Sequence, residues 1–101
     1  MPLAKLDAFD AGIVQLSAFA KALSHPARIE ILRHLAHGGE VCCSDLVAAL
    51  PLSQPASSRH IAELVKAGLL KMRPHRSQVF YRLEKKALNQ FCRSMAKTLH
   101  S

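Results

Sequence analysis

The stretch from Cys43 to Gly68 constrains the fold most, because two helical patterns meet there across a turn too short for anything but a tight corner. A short helix is predicted from Cys43 to Leu50, with Leu46, Val47 and Leu50 inward. Pro51 ends it after barely two turns. Ser53 is well placed to cap a second helix over Gln54 to Ala67, with Ile61, Leu64 and Val65 inward and Gly68 closing it. Two helices joined by about three or four residues are the signature of a helix-turn-helix, whose second helix enters the major groove of DNA.

The flanking segments complete one domain over residues 1–101, a length at which a single chain buries only a modest fraction of its surface. Leu6, Phe9, Ile13, Leu16, Ala20 and Leu23 recur at helical spacing and form one stripe of a long first helix. Pro26 opens a second helix, with Ile29, Ile31, Leu32, Leu35 and Ala36 as its buried face, and His37-Gly38-Gly39 stops it. After Gly68, residues 69–73 and 78–83 read as two strands around the turn Pro74-His75-Arg76-Ser77. A last helix carries Leu88, Phe91, Cys92, Met95 and Leu99 at helical spacing. The expected class is mostly α with a small β-hairpin, in the order α-α-α-α-β-β-α: a winged helix-turn-helix. The helices within 1–23 and 85–100 are the expected dimerisation elements, because their stripes exceed what the core and wing can cover.

Charge sharpens the functional reading. The net charge is +7, and residues 53–86 hold eight Lys or Arg against only Glu63 and Glu84. Such segregation suits a polyanion, since phosphate contacts supply most non-specific affinity for DNA. A membrane-surface role would need a basic amphipathic helix, whereas residues 71–86 are strand-like, and no apolar run approaches the roughly 18 residues that span a bilayer. The N-terminus lacks the pattern of a secretory signal, so the cytoplasm is the expected compartment. No phosphate loop, activated nucleophile or paired-carboxylate motif is present, and no enzyme is expected.

On the second helix of the motif, Gln54, Pro55, Ser58 and Arg59 share one side, opposite Ile61, Leu64 and Val65. Gln pairs in a bidentate manner with adenine and Arg with guanine. Pro55 and Ala56 suit thymine methyls, and Ser58 a phosphate or a base. The expected DNA-binding set is Ser53, Gln54, Pro55, Ser57, Ser58, Arg59 and His60, with His75, Arg76 and Ser77 at the wing tip. Within that set Ser57 turns inward with Ile61, and His60 is an oriented structural or phosphate-contacting residue.

Three cysteines, Cys42, Cys43 and Cys92, make a poor framework for structural disulfides. Cys42 falls at the N-cap of the short helix, where backbone dipoles favour a thiolate that binds metal or oxidises. Cys43 and Cys92 lie on inward faces, where packing is the bland explanation. Two vicinal thiols are nonetheless able to chelate arsenic(III) or another thiophilic ion, with Cys92 as a third sulfur.

Four stretches together resemble the ArsR family of small dimeric repressors. They are Leu23-Ser24-His25-Pro26-Ala27-Arg28; Glu40-Val41-Cys42-Cys43-Ser44-Asp45-Leu46; Leu52-Ser53-Gln54 with Ser58-Arg59-His60; and Ala67-Gly68-Leu69-Leu70 leading to Val79-Phe80-Tyr81. The resemblance implies a homodimer that binds a pseudo-palindromic operator in double-stranded DNA and is released by an inducer. Metal-sensing members open the short helix with two cysteines separated by one residue. Here Cys42 matches the first and Ser44 stands where the second would be. The last helix offers Asn89, Gln90, Cys92 and His100 in place of the family's carboxylate and histidine site. Sulfur-sensing members place a thiol in the second helix, and Pro26 to His37 contains none. The alternatives are a constitutive DNA-binding regulator whose cysteines only pack, and a winged-helix module that binds an acidic protein.

Overall fold

Helix boundaries follow the capping chemistry of the sequence. In the computed structural model, which describes residues 7–100, α1 (Ala11–Ala22) begins where the Asp10 carboxylate accepts from the Gly12 N–H at 2.9 Å. α2 (Pro26–Leu35) is capped by His25, whose Nδ1 accepts from the Ala27 N–H at 3.0 Å, with Pro26 in the first turn. β1 (Val41–Cys42) precedes α3 (Cys43–Ala48), and Ser53 caps α4 (Gln54–Lys66) by accepting from the Ala56 N–H at 3.3 Å. β2 (Leu70–His75), β3 (Gln78–Leu83) and α5 (Lys85–His100) complete the chain.

The end of α4 shows why a glycine stands at position 68. Its φ is +85°, the left-handed conformation that lets the Gly68 N–H reach the Val65 carbonyl and the Leu69 N–H reach the Leu64 carbonyl, each at 3.0 Å. Leu64 and Leu69 are both fully buried, so this cap also turns the chain from α4 into the β2–β3 hairpin over the core.

That core is built from Ile31 and Leu35 of α2, Leu46 of α3, Ile61 and Leu64 of α4, and Leu69, with Tyr81 and Leu83 of β3 beneath them. Truncating Leu35 or Leu64 to Ala would cost about 2–5 kcal/mol. Ile29 and Ala36, expected on the buried face of α2, are exposed instead, because the core takes only Ile31, Leu32 and Leu35 beyond the first turn.

Two further differences matter for function. Val41 and Cys42, expected only to lead into the short helix, form a third strand, so the hairpin becomes a sheet of order β1-β3-β2, antiparallel throughout. The register Cys42↔Phe80 and Arg73↔Phe80 puts those three residues in one row on one face, and Val41, Tyr81 and Met72 form the next row on the other. The long first helix is also shorter than its stripe. Leu6 lies outside the described residues, and Phe9, 60% exposed, precedes the Asp10 cap.

α1 and α5 lie together at the edge, joined by stacked rings of Phe19 and Phe91 at 4.6 Å. α5 buries no residue fully, and Ile13 and Leu99 remain exposed. Among the described residues no helix is long and apolar enough to cross a membrane.

Candidate nucleic-acid interface

α4 divides cleanly into two sides. Ser57, Ile61 and Leu64 are buried, whereas Gln54, Pro55 and Arg59 are exposed and Ser58 is half-buried. Ser57, included among the expected DNA contacts, is 0% exposed and cannot reach a duplex; its position one helical turn before Ile61 places it in the core. Its hydroxyl has no hydrogen-bond partner among the described residues. Ser53 remains exposed, with its side-chain oxygen engaged in the cap.

The wing extends further than its sequence pattern indicated. Pro74 and His75, expected in the turn, continue β2 opposite Val79 and Gln78, leaving Arg76 and Ser77 as a two-residue loop. Pro74 is tolerated because β2 is an edge strand. Arg76 has φ +58°, a left-handed conformation unusual for an arginine. His75, Arg76 and Ser77 are all exposed, and the His75 ring meets Phe80 edge-on at 6.5 Å.

Charge on this surface is partly neutralised. Arg73 grips both carboxylate oxygens of Glu40 at 2.8–3.0 Å, with its guanidinium 5.1 Å from the Phe80 ring centre. The Arg73 hydrogen bond holds the Glu40 carboxyl below its ordinary range, with the positive charges of Arg73, Arg82 and His75 adding to it. Lys71 lies 3.6 Å from Glu84. Arg59, Arg76 and Arg82 have no ion pair among the described residues.

His60 is half-buried and turned toward α2: its Nδ1 accepts from Arg28 Nε at 3.1 Å, and its ring lies 4.2 Å from that of His25. Burial lowers its pKa, and the charges of His25, Arg28 and Arg59 act in the same direction. Sequence reasoning missed Arg28 and Glu40. Each meets its partner more than 30 residues away, so no local pattern marks it.

The cysteines do not converge. Cys42 is the N-cap of α3 without a capping hydrogen bond, and its Sγ lies 3.4 Å from Ser44 Oγ. Cys43 turns to the other side, lining a cleft of about 330 Å³ with Ile61, Val65, Met72 and Tyr81. Burial raises the Tyr81 pKa, and contact with Cys43 adds to the rise. Cys92, expected to pack inward, is exposed on α5. Among the described residues no group of three His, Cys, Asp or Glu is placed to hold a metal ion.

The helix-turn-helix domain family matches residues 23–73, about half of the chain. The chain is 37% identical over 75 residues to the arsenical resistance operon repressor of Staphylococcus xylosus, a match covering 74% of this chain and 71% of that protein. It is 43% identical over 63 residues to the arsenic resistance transcriptional regulator ArsR1 of Pseudomonas putida, covering 62% of this chain; the match spans about half, 49%, of that regulator's length. Among solved structures, an ArsR-like transcriptional regulator from Rhodococcus sp. RHA1 superposes with a TM-score of 0.75 at 28% identity, over 85% of this chain and 80% of that one. A capped recognition helix, a two-residue wing turn and these relatives agree: the chain belongs to the ArsR family of winged helix-turn-helix transcriptional regulators, which are not enzymes.

Proposed function

We propose that this protein is a sequence-specific DNA-binding repressor that acts as a homodimer on a pseudo-palindromic operator. The observation that carries this reading is the outward face of α4, where Gln54, Pro55 and the unpaired Arg59 stand exposed while the opposite face is buried. Gln54 and Arg59 read base edges, and Arg76 at the wing tip takes the backbone or minor groove. The left-handed backbone of Arg76 belongs to the two-residue turn, which carries its side chain at the exposed wing tip.

Dimerisation rests on α1 and α5, which leave Ile13 and Leu99 exposed and meet at the stacked Phe19 and Phe91 rings. A two-fold axis there would present both copies of α4 to successive major grooves about 34 Å apart.

Release from DNA is assigned to thiol chemistry at Cys42. A three-sulfur arsenic(III) site within one protomer does not fit this arrangement, since Cys43 faces a different side and Cys92 is exposed on α5. Cys42 is half-buried, beside Ser44, and in register with Phe80 in the row that carries Arg73. A modified Cys42 would therefore displace the wing. The test is a salt-dependent shift of labelled duplex in the presence and absence of arsenite or polysulfide. A protein that binds an acidic partner but no duplex at low salt would refute the repressor reading.

A further inference from the structure

Arg28 connects three helices. Its guanidinium donates to the Ala22 carbonyl at 3.3 Å and the Lys21 carbonyl at 3.5 Å, at the end of α1, while Nε donates to His60 Nδ1 at 3.1 Å on α4. His25, whose ring is tilted against that of His60, has its own Nδ1 committed to capping α2. Beside the apolar packing of Ile31 and Leu35 with Ile61 and Leu64, the face of α4 opposite its exposed residues is thus tied to α2 by a hydrogen bond to one imidazole.

That tie requires a lone pair on Nδ1, so the His60 ring is neutral with its proton on Nε2. A second proton would sit on Nδ1, directed at a guanidinium that can only donate. The charged and titratable groups acting on the ring are His25 and Arg28 from α2 and Arg59 from α4. The end of α1 meets this network at the Lys21 and Ala22 carbonyls, which accept from Arg28. None of these groups is an acid that would compensate the added charge.

We infer that His60 is a positioning residue for the recognition helix, and that acidification breaks the Arg28–His60 bond and weakens DNA binding. This rests on the DNA-binding reading above. The sign opposes the usual one, in which a histidine near DNA gains charge and affinity on protonation. The tie is fully present above the ordinary histidine value of 6.5 and is lost as pH falls through the lower value that burial and the neighbouring cations impose.

The experiment measures duplex affinity by fluorescence anisotropy at pH 7.5 and 5.5 and constant ionic strength, for the wild type and His60→Gln. The glutamine amide oxygen accepts from Arg28 without titrating. Wild-type affinity is expected to fall about fivefold or more between the two pH values. In His60→Gln the ratio should approach one or invert, because every histidine other than His60 is common to both proteins. Equal ratios in the two proteins overturn the inference. NMR titration of the histidines in the free wild-type protein provides an arm that needs no variant and no DNA. His60 should titrate below the ordinary histidine value of 6.5, and a His60 that titrates at or above that value overturns the tie. Wild type that binds no duplex at pH 7.5 refutes the repressor reading instead, and the titration still decides whether His60 is held by Arg28.

Discussion

Glu40 and Arg73 meet across the Phe80 ring: the carboxylate just before β1 holds the guanidinium of β2, two strands away, by both oxygens at 2.8–3.0 Å. The pair clamps the edge strand of the wing to the segment that enters α3, and it withdraws one arginine from the basic surface. Glu40→Gln should release Arg73 to phosphate. The slope of log affinity against log salt should then steepen by about one unit, with little change in base preference. An unchanged slope would show that Arg73 stays on Phe80 without its carboxylate partner. The Glu40 carboxyl titrates below its usual 4.5, so the clamp is lost only as pH falls through that lower value and is intact near neutrality.

Ser57 separates burial from recognition. Its hydroxyl is fully buried without a partner among the described residues, so Ser57→Ala should leave stability unchanged or raise it by about 1 kcal/mol, and operator affinity should be unaffected. Thermal melting and anisotropy check both parts. A large loss of affinity at unchanged stability would mean that α4 sits differently on DNA.

Much of this was legible in the sequence, and what was not has a physical pattern. Pro26 and Ser53 marked the starts of α2 and α4, Gly38 and Gly68 their ends, and the segregated charge pointed to the candidate interface. Contacts closed over long distances left no local trace: the pairing of Val41 with Tyr81 makes β1 a strand only because the hairpin is beside it, and Arg28 finds His60 only once α2 packs on α4. Periodicity also overstated burial at Ile29, Phe9 and Cys92, since an apolar residue near a helical stripe does not guarantee a neighbour to cover it.

The proposed dimer rests on the apolar surface of α1. Ile13 is 42% exposed, so Ile13→Asp should leave the fold intact while opposing association of a second copy. Sedimentation should show a dimer for the wild type at micromolar concentration and a monomer for the variant. Equal masses for the two proteins would move the interface elsewhere.

Cys42 is the thiol whose loss should silence an inducer. Arsenite or polysulfide is expected to lower the duplex affinity of the wild type some 5- to 150-fold, the range of a coupling of about 1–3 kcal/mol, and to leave Cys42→Ser unaffected. If Cys42→Ser responds as fully, or if neither reagent moves the wild type, the protein regulates without this cysteine.

The central claim is that α4 reads sequence while the wing tip holds the backbone, and one measurement tests it most directly. Duplexes selected from random DNA by the wild type are titrated with Arg59→Ala and Arg76→Ala over a range of salt concentrations. Arg59→Ala should lose about 1–3 kcal/mol of discrimination at one base pair in each half-site. Arg76→Ala should weaken all duplexes alike and reduce the salt slope by about one unit per protomer. Equal loss of discrimination from both variants, or none from Arg59→Ala, would contradict the placement of α4 in the major groove.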